Sequence, residues 1–305
     1  MIREALTAIA RNETLGQALS RAPVARDVFR RVVGGDTVAE ALEVAAGLAD
    51  QGYWASLERA APAVTDGADA DRVLADYLSL VDSLATLDLA AGVEIAVLPG
   101  SLGAHEGVAT AGAFERLDRL CAHAASAGTP VMVGMGPADE VGRTLEWVEP
   151  RLSAGGSLGV TLQASLRRTH ADCARLAGYR VRLVKGGHRA DAAMGYGQPL
   201  EVDKSFVRCA KVLLAGSGDP SFATHDPRLV EIVADRAERY GRPVDGFEFA
   251  FYLGRLASEQ RRLAESGHRV RIYVPYGPDW FARLVGGLAE RPSGVAAAVR
   301  SLLPG

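Results

Sequence analysis

The chain contains 305 residues, of which 48% are hydrophobic, and its formal net charge is −3. This hydrophobic content supports a full core and excludes intrinsic disorder. The small negative charge gives no electrostatic basis for binding nucleic acid or an anionic membrane surface. The three cysteines are scattered and form no CxxC pair, which argues against a disulfide framework or a zinc site. We therefore expect a reduced, cytoplasmic setting.

Residues 1–50 are predicted to form an N-terminal helical segment. Apolar residues such as Ala5 and Ile9 recur at helical spacing, and Asp36-Thr37 provides an N-cap for a helix over residues 38–48. The first residues lack the basic start and apolar core of a signal peptide. No apolar run in the sequence is long enough to span a bilayer. The segment carries no catalytic motif, so we expect it to contribute packing.

From residue 51 onward, short apolar runs alternate with helical stretches, a pattern that favours a parallel sheet with helical crossovers. The eight candidate strands cover residues 54–57, 93–98, 130–133, 158–162, 181–184, 221–224, 246–249 and 270–274. Predicted helices between and after them include residues 113–125, 139–152, 169–177, 203–214, 227–240, 254–265 and 279–290.

Eight strand–helix units predict an α/β fold of the TIM type, a (βα)8 barrel over residues 51–305 with N-terminal helices added to it. The structural alternative is a doubly wound nucleotide-binding fold. Its GxGxxG fingerprint is absent, because Gly134-Met135-Gly136 and Gly195-Tyr196-Gly197 each lack the third glycine. No Walker A sequence occurs either, so the barrel is preferred.

Polar groups follow several of the predicted strands. The most informative stretch is Arg182-Leu183-Val184-Lys185-Gly186-Gly187-His188, in which an apolar strand enters a cationic, glycine-rich loop. Segments of related character cover residues 222–226, 247–249 and 271–277. In a barrel of parallel strands these strand ends converge on one face, where the active site lies.

Together with Leu162-Gln163-Ala164, these segments resemble the FAD-dependent proline dehydrogenase family, in the family's order and over most of residues 35–295. The resemblance implies that residues 51–305 form an FAD-binding barrel. Gln163 matches a glutamine on the flavin ring, Arg182 matches an arginine near flavin N5, and His225 belongs to a segment that holds the FAD phosphates and adenosine. The family usually has asparagine where this chain has Asp226.

The resemblance implies a cofactor site formed by Gln163, Arg182, Val184, Lys185, Gly186, Thr224, His225 and Glu248. Each charged or polar member also has an ordinary structural interpretation. Arg182 and Lys185 fit a solvated strand end, and Glu248 fits an alternating strand with its carboxylate paired structurally. The occurrence of all these segments in family order favours a flavin site.

The substrate side departs from the family. The family holds the proline carboxylate with two adjacent arginines on the last barrel helix, where this chain has Gly286-Gly287. An arginine fork forms bidentate hydrogen bonds to a carboxylate, and glycine forms none. A strand-two lysine falls at Ala96 and a strand-three aspartate falls near Gly134. The resemblance therefore implies a pocket formed by Ala96, Gly134, His188, Tyr273, Gly286, Gly287 and Glu290.

Three residues are candidates for catalysis. His188 replaces a family tyrosine, and a histidine ordinarily titrates near neutrality, which suits it to general acid–base work. Tyr273 is retained and provides a second group that could handle the substrate N–H proton. Arg182 could stabilise negative charge on a reduced flavin. The alternative for His188 is that it stacks or hydrogen-bonds where the tyrosine did.

These features predict an FAD-dependent dehydrogenase or oxidase that acts on a C–N or N–N bond of a non-proline substrate. A small ester, an amide or a carrier-bound thioester would fit the lost carboxylate anchor, and a role in specialised metabolism is consistent with it. Two alternatives stay open: a true proline dehydrogenase that anchors its carboxylate elsewhere, and a non-catalytic flavin-binding protein. No metal site is predicted, since the six histidines are dispersed. The sequence does not identify the electron acceptor.

Overall fold

The computed structural model describes residues 31–60, 64, 66–104, 110–278 and 280. Eight strands form the barrel: β1 Trp54–Arg59, β2 Val93–Val97, β3 Val131–Val133, β4 Leu158–Gln163, β5 Arg180–Val184, β6 Pro220–Ala223, β7 Glu248–Tyr252 and β8 Arg269–Tyr276. Each strand pairs in parallel with the next, and β8 pairs with β1 to close the sheet. The predicted (βα)8 barrel is therefore confirmed.

The described helices are α1 Val38–Asp50, α2 Gly67–Thr86, α3 Thr110–Ser126, α4 Val141–Ser153, α5 Thr169–Leu176, α6 Pro199–Ala215, α7 Pro227–Arg239 and α8 Ala257–Glu265. The expected cap of α1 forms as a capping box, in which Thr37 Oγ1 accepts from the Glu40 N–H and the Glu40 carboxylate accepts from the Thr37 N–H. Residues 1–30 and all but residue 280 of the predicted last helix lie outside the described residues. The boundary at residue 50 stays a prediction.

The apolar core lies between the barrel and its helices. Alternate strand residues such as Leu57, Ile95, Leu162, Leu183 and Phe249 are fully or almost fully buried in this layer. The intervening residues face the inside of the barrel, because the strand alternates its side chains between two faces.

The inside of the barrel is polar. Side chains from strands that are not neighbours, such as Glu94 on β2 and Arg182 on β5, form ion pairs across it. Barrel interiors of this fold are usually filled by branched apolar residues, so a charged interior indicates a specialised role. Within the described ranges, no helix has the length and hydrophobicity needed to cross a membrane.

Candidate active site

A cavity of about 710 Å³ opens at the carboxyl ends of the barrel strands. Its volume falls in the range of about 300–1,000 Å³ that is usual for ligand and cofactor pockets. It lies on the face where enzymes of this fold place their chemistry. The sequence-predicted residues that line it are Ala96, Gly134, Gln163, Arg182, Val184, Lys185, Gly186, His188, Thr224, His225 and Tyr273. The fold thus brings together residues that lie far apart in the sequence.

Arg182 joins this cavity to the charged interior of the barrel. Its side chain lines the cavity and is almost fully buried, and its Nη2 pairs with Oε1 of Glu94. The fully buried Glu94 also accepts hydrogen bonds from Ser56 Oγ and Arg180 Nη2, each at 2.7 Å. The Arg182 guanidinium is therefore held in place by a carboxylate behind it, rather than solvated at a strand end.

The charges in this interior remain ionised. Burial alone would raise the pKa of the Glu94 carboxyl, but Arg182, Arg271 and Arg180 outweigh it and hold that pKa well below the ordinary range. The pKa of Glu248 is lowered in the same way, against burial, chiefly by Arg271. Opposite charges at close range stabilise each other in a setting where an unpaired charge would be costly.

Glu248 is placed differently from its expected role. It does not line the cavity, and it is 1% exposed inside the barrel. Arg271 Nε lies 2.9 and 3.0 Å from its two carboxylate oxygens, and Arg271 Nη1 donates to the Ala55 carbonyl at 2.8 Å. The placement fits the structural interpretation of Glu248, in which its carboxylate is paired within the barrel rather than directed at a cofactor.

Gln163 ties the glycine-rich loop to the sheet. Its Oε1 accepts from the backbone N–H of His188 at 2.6 Å, and its Nε2 donates to the Gly136 carbonyl at 2.9 Å. A Cβ on Gly187 would lie 2.0 Å from Oε1, so this close approach requires glycine. The loop that carries His188 is thereby fixed against the end of β4.

The positive charge of Lys185 is paired with two carboxylates within the site. Its Nζ lies 2.7 Å from Asp203 Oδ1 and 3.0 Å from Asp226 Oδ2. Asp226 also caps α7 by accepting from the Arg228 N–H, and it pairs with the Arg228 guanidinium at 2.7 Å. The hydrogen bond from Arg228, with help from Lys185, holds the pKa of Asp226 below its usual range despite partial burial. Asp226, which stands where the family usually has asparagine, is thus one of the two carboxylates that pair with Lys185.

An aromatic wall forms one side of the cavity. The His225 ring stacks on Tyr252 with centroids 5.6 Å apart, and Tyr252 meets Tyr273 edge-to-face at 5.1 Å. His225 Nε2 accepts the Tyr252 backbone N–H at 3.0 Å, which places the proton of the neutral ring on Nδ1. Thr224 Oγ1 accepts from the Asp226 N–H at 3.2 Å. The predicted residues of this segment therefore order the loop between β6 and α7.

The predicted substrate side carries no charged side chain at two positions. Ala96 and Gly134 line the cavity where the resemblance places a lysine and an aspartate. A Cβ on Gly134 would lie 2.5 Å from Leu98 Cδ2, so leucine fills the space beside it. His188 and Tyr273 line the same cavity. Gly286, Gly287 and Glu290 lie outside the described residues.

Three further residues of the site were missed by the sequence reasoning. Glu58 lines the cavity and is buried, but it follows the apolar run that predicted β1. Glu94 could have been noticed as a lone carboxylate inside an apolar strand. Arg255 lines the cavity from the loop after β7 and has no motif around it. Among the residues within the described ranges, no cluster of histidine, cysteine and carboxylate groups could hold a metal ion.

Comparison with known proteins gives a consistent result. The model of the family described as proline dehydrogenase matches residues 41–280. Proline dehydrogenase 1 of Bacillus subtilis (strain 168) is 25% identical over 305 residues, covering 99% of both chains. Proline dehydrogenase of Deinococcus radiodurans is 27% identical over 283 residues, covering 92% of this chain and 91% of the relative.

Solved structures support the same fold. Proline utilization A (PutA) from Bdellovibrio bacteriovorus, inactivated by N-propargylglycine, superposes with a TM-score of 0.82 at 19% identity. The match covers 99% of this chain but only 39% of that longer protein. A mutant PutA from Bradyrhizobium japonicum superposes with a TM-score of 0.73 at 24% identity and covers 92% of this chain and 33% of its own.

Proposed function

Because the chain belongs to the proline dehydrogenase family of FAD-dependent oxidoreductases, we propose that it binds FAD and oxidises a C–N or N–N bond in a substrate other than free proline. The observation that carries the substrate proposal is the lack of a charged side chain at Ala96 and at Gly134, two positions that line the cavity. The sequence adds Gly286-Gly287, where the family has its two arginines. Function follows the site rather than the fold.

The described residues fit FAD. The cavity has a suitable volume, a buried cation in Arg182, and a glycine loop whose backbone a ligand can approach closely. We propose that the cofactor is held by Gln163, Arg182, Val184, Lys185, Gly186, Thr224 and His225. Glu248 is left out of this set, since Arg271 occupies its carboxylate. FAD supplies the hydride acceptor for the reaction.

The chain's own residues then provide charge and proton handling. Arg182, backed by Glu94, presents a fixed positive charge to the cavity, where it stabilises developing negative charge. Oxidation of an amine or hydrazine requires removal of an N–H proton, and His188 and Tyr273 line the cavity as candidate acceptors.

The substrate class follows from the charges. Both Arg182 and Lys185 are paired with carboxylates of the chain. A substrate whose carboxylate is masked as an ester, an amide or a carrier-bound thioester avoids the need for a free cation. We propose such a small or carrier-bound substrate, in a cytoplasmic and specialised metabolic role, with the electron acceptor unassigned.

A second candidate is genuine L-proline dehydrogenase activity. Relatives that match almost the whole chain carry that name, and Arg255 gives the cavity another cation. A third candidate is a flavin-binding homologue without catalysis. The three candidate functions are distinguished by whether a substrate reduces the bound flavin and by which substrate does so.

The proposal is tested by purifying the protein, denaturing it and identifying the released chromophore. FAD, or uptake of added FAD by the colourless protein, is the expected result. The loaded protein is then screened anaerobically against cyclic amines, hydrazines, and amino acid esters and amides for loss of the oxidised flavin spectrum. Absence of flavin after both steps contradicts the FAD assignment, and reduction by none of the substrates favours the non-catalytic candidate.

A further inference from the structure

Arg255 is a cation in the cavity, and its guanidinium has no partner among the described residues. Three residues with a permanent positive charge line the cavity: Arg182, Lys185 and Arg255. The first two contact carboxylates. Within the described part of the chain, the guanidinium of Arg255 forms no hydrogen bond or ion pair, and burial is the sole influence on its pKa, which it lowers.

A half-buried guanidinium of this kind is expected to bind an anion. Removing a charge from water is unfavourable unless an opposite charge or a set of hydrogen bonds compensates it. The planar guanidinium is shaped to bind carboxylate or phosphate oxygens in pairs. The aromatic wall of His225 and Tyr252 lines the same cavity.

The loop that carries Arg255 is ordered in advance of any ligand. The Arg255 N–H donates to the Tyr252 carbonyl at 3.1 Å, and the Arg255 carbonyl accepts from Gln260 Nε2 at 2.6 Å. Gly254 has a φ of +73°, and a Cβ there would lie 2.2 Å from the Arg31 carbonyl oxygen. Because the backbone of Arg255 is already fixed, only its side chain has to be ordered when a ligand binds.

We propose that Arg255 is the anion-recognition residue of this cavity and binds a ligand oxyanion, either the pyrophosphate of FAD or a free carboxylate on the substrate. The inference rests on the proposed function for its FAD site, and a carboxylate bound at Arg255 favours the second candidate function over a substrate with a masked carboxylate. The chemistry is the same in the two cases, and the source of the oxyanion decides between a cofactor role and a substrate role.

The test compares Arg255→Gln and Arg255→Lys with Arg239→Gln. Arg239 lies on α7, is paired with the exposed Asp235 and does not line the cavity. Loss of a charged hydrogen-bonding partner is expected to weaken binding by about 10- to 100-fold. The lysine variant keeps the charge and loses the fork, so an intermediate effect is expected. Ligand binding can also be measured with the lysine variant alone if the glutamine variant does not fold.

The probes separate the two sources. If the oxyanion is the pyrophosphate, Arg255→Gln weakens binding of FAD and leaves binding of riboflavin unchanged. If it is a substrate carboxylate, FAD binding is kept and binding of L-proline weakens relative to L-prolinamide, which lacks the negative charge. Values for all four probes within about twofold of the wild-type and Arg239→Gln proteins overturn the proposal.

Failure of the proposed function is visible separately. If the wild-type protein binds neither FAD nor riboflavin, the FAD assignment fails. Calorimetric titration with inorganic pyrophosphate and with L-proline then still decides on Arg255. Binding to the wild-type protein that is weakened in Arg255→Gln supports the oxyanion site, and binding that is absent or unchanged contradicts it.

Discussion

Glu94 and Arg182 form the residue pair on which the chemistry of the cavity depends. The carboxylate has no exposed surface, and it accepts hydrogen bonds from Ser56, Arg180 and Arg182. Removing one partner of a buried pair leaves the other charge uncompensated. The pair therefore couples the stability of the barrel to the position of the cation at the cavity.

We predict that Glu94→Gln lowers the free energy of unfolding by about 3–5 kcal/mol at pH 7. The control is Asp235→Asn, which breaks an exposed pair with Arg239 on one helix and is expected to cost no more than about 0.5 kcal/mol. Urea denaturation measures both. Equal, small effects in the two variants would contradict the account of the buried cluster.

The same pair predicts a pH dependence. Burial opposes ionisation of Glu94, but its three arginines lower the pKa below the ordinary value. A depressed carboxyl pKa contributes stability that is present above the unfolded pKa of about 4.3 and is lost as pH falls toward the folded value. Between pH 7 and pH 3, Glu94→Gln should lose less stability than the wild-type protein. A parallel fall in both proteins would exclude this contribution.

At the scale of elements, the glycine-rich loop after β5, residues 185–188, makes one close contact with the end of β4. Gln163 reaches the backbone of His188 across the space that a Gly187 side chain would fill. Its amide is held at both ends, by His188 and by Gly136, so it cannot easily give way.

We predict that Gly187→Ala displaces the Gln163 side chain, costs about 1–3 kcal/mol through overpacking, and weakens FAD binding. Gly197→Ala is the matched control, because an added Cβ there meets no heavy atom within 4 Å. Thermal denaturation and FAD titration of both variants measure the effects. If Gly187→Ala retains wild-type FAD affinity, the loop does not position the cofactor.

The sequence predicted the eight strands because each is an apolar run between turn and helix signals. The predicted strands β1 and β8 are too short at their carboxyl ends, where the pairing continues to Arg59 and Tyr276. Glu58 lies in this extension of β1 and was therefore not predicted as a site residue. Helix α2 was not among the predicted helices, although Val73, Tyr77 and Leu84 follow helical spacing. The short apolar runs indicate where strands lie, but strand ends depend on pairing.

The site was predictable in part for a similar reason. Motif residues such as Gln163 and His225 line the cavity, because parallel strand ends meet at one face. The partners of those residues were not predictable. The pairing of Lys185 with Asp203 arises from a loop and a helix that only the folded chain brings together. The same holds for Arg255, whose guanidinium has no partner in the part of the chain that the structure describes.

At the scale of the whole molecule, the closed barrel couples cofactor binding to the stability of the fold. The cavity draws on all eight strands together with several of their loops, so a ligand bound there stabilises the folded state over the unfolded chain. We predict that FAD at about 100 times its Kd adds about 2.7 kcal/mol of stability. For a chain of 305 residues, that corresponds to a rise in Tm of about 4 °C.

The measurement is thermal denaturation of the colourless protein over a range of FAD concentrations, with riboflavin and FMN for comparison. A Tm that rises with FAD and continues to rise with the logarithm of its concentration is expected. An unchanged Tm at high FAD would contradict the assignment of the cavity as a flavin site.

Substrate choice is the central claim, and anaerobic mixing of the FAD-loaded protein with L-proline tests it most directly. The cavity has no charged side chain at Ala96 or Gly134, and its Arg182 and Lys185 are already paired. Each lost interaction of about 1.4 kcal/mol lowers affinity or rate tenfold. We predict that the oxidised flavin spectrum persists with L-proline and disappears with an amine that lacks a free carboxylate. Rapid bleaching of the flavin by L-proline at ordinary concentrations would contradict it.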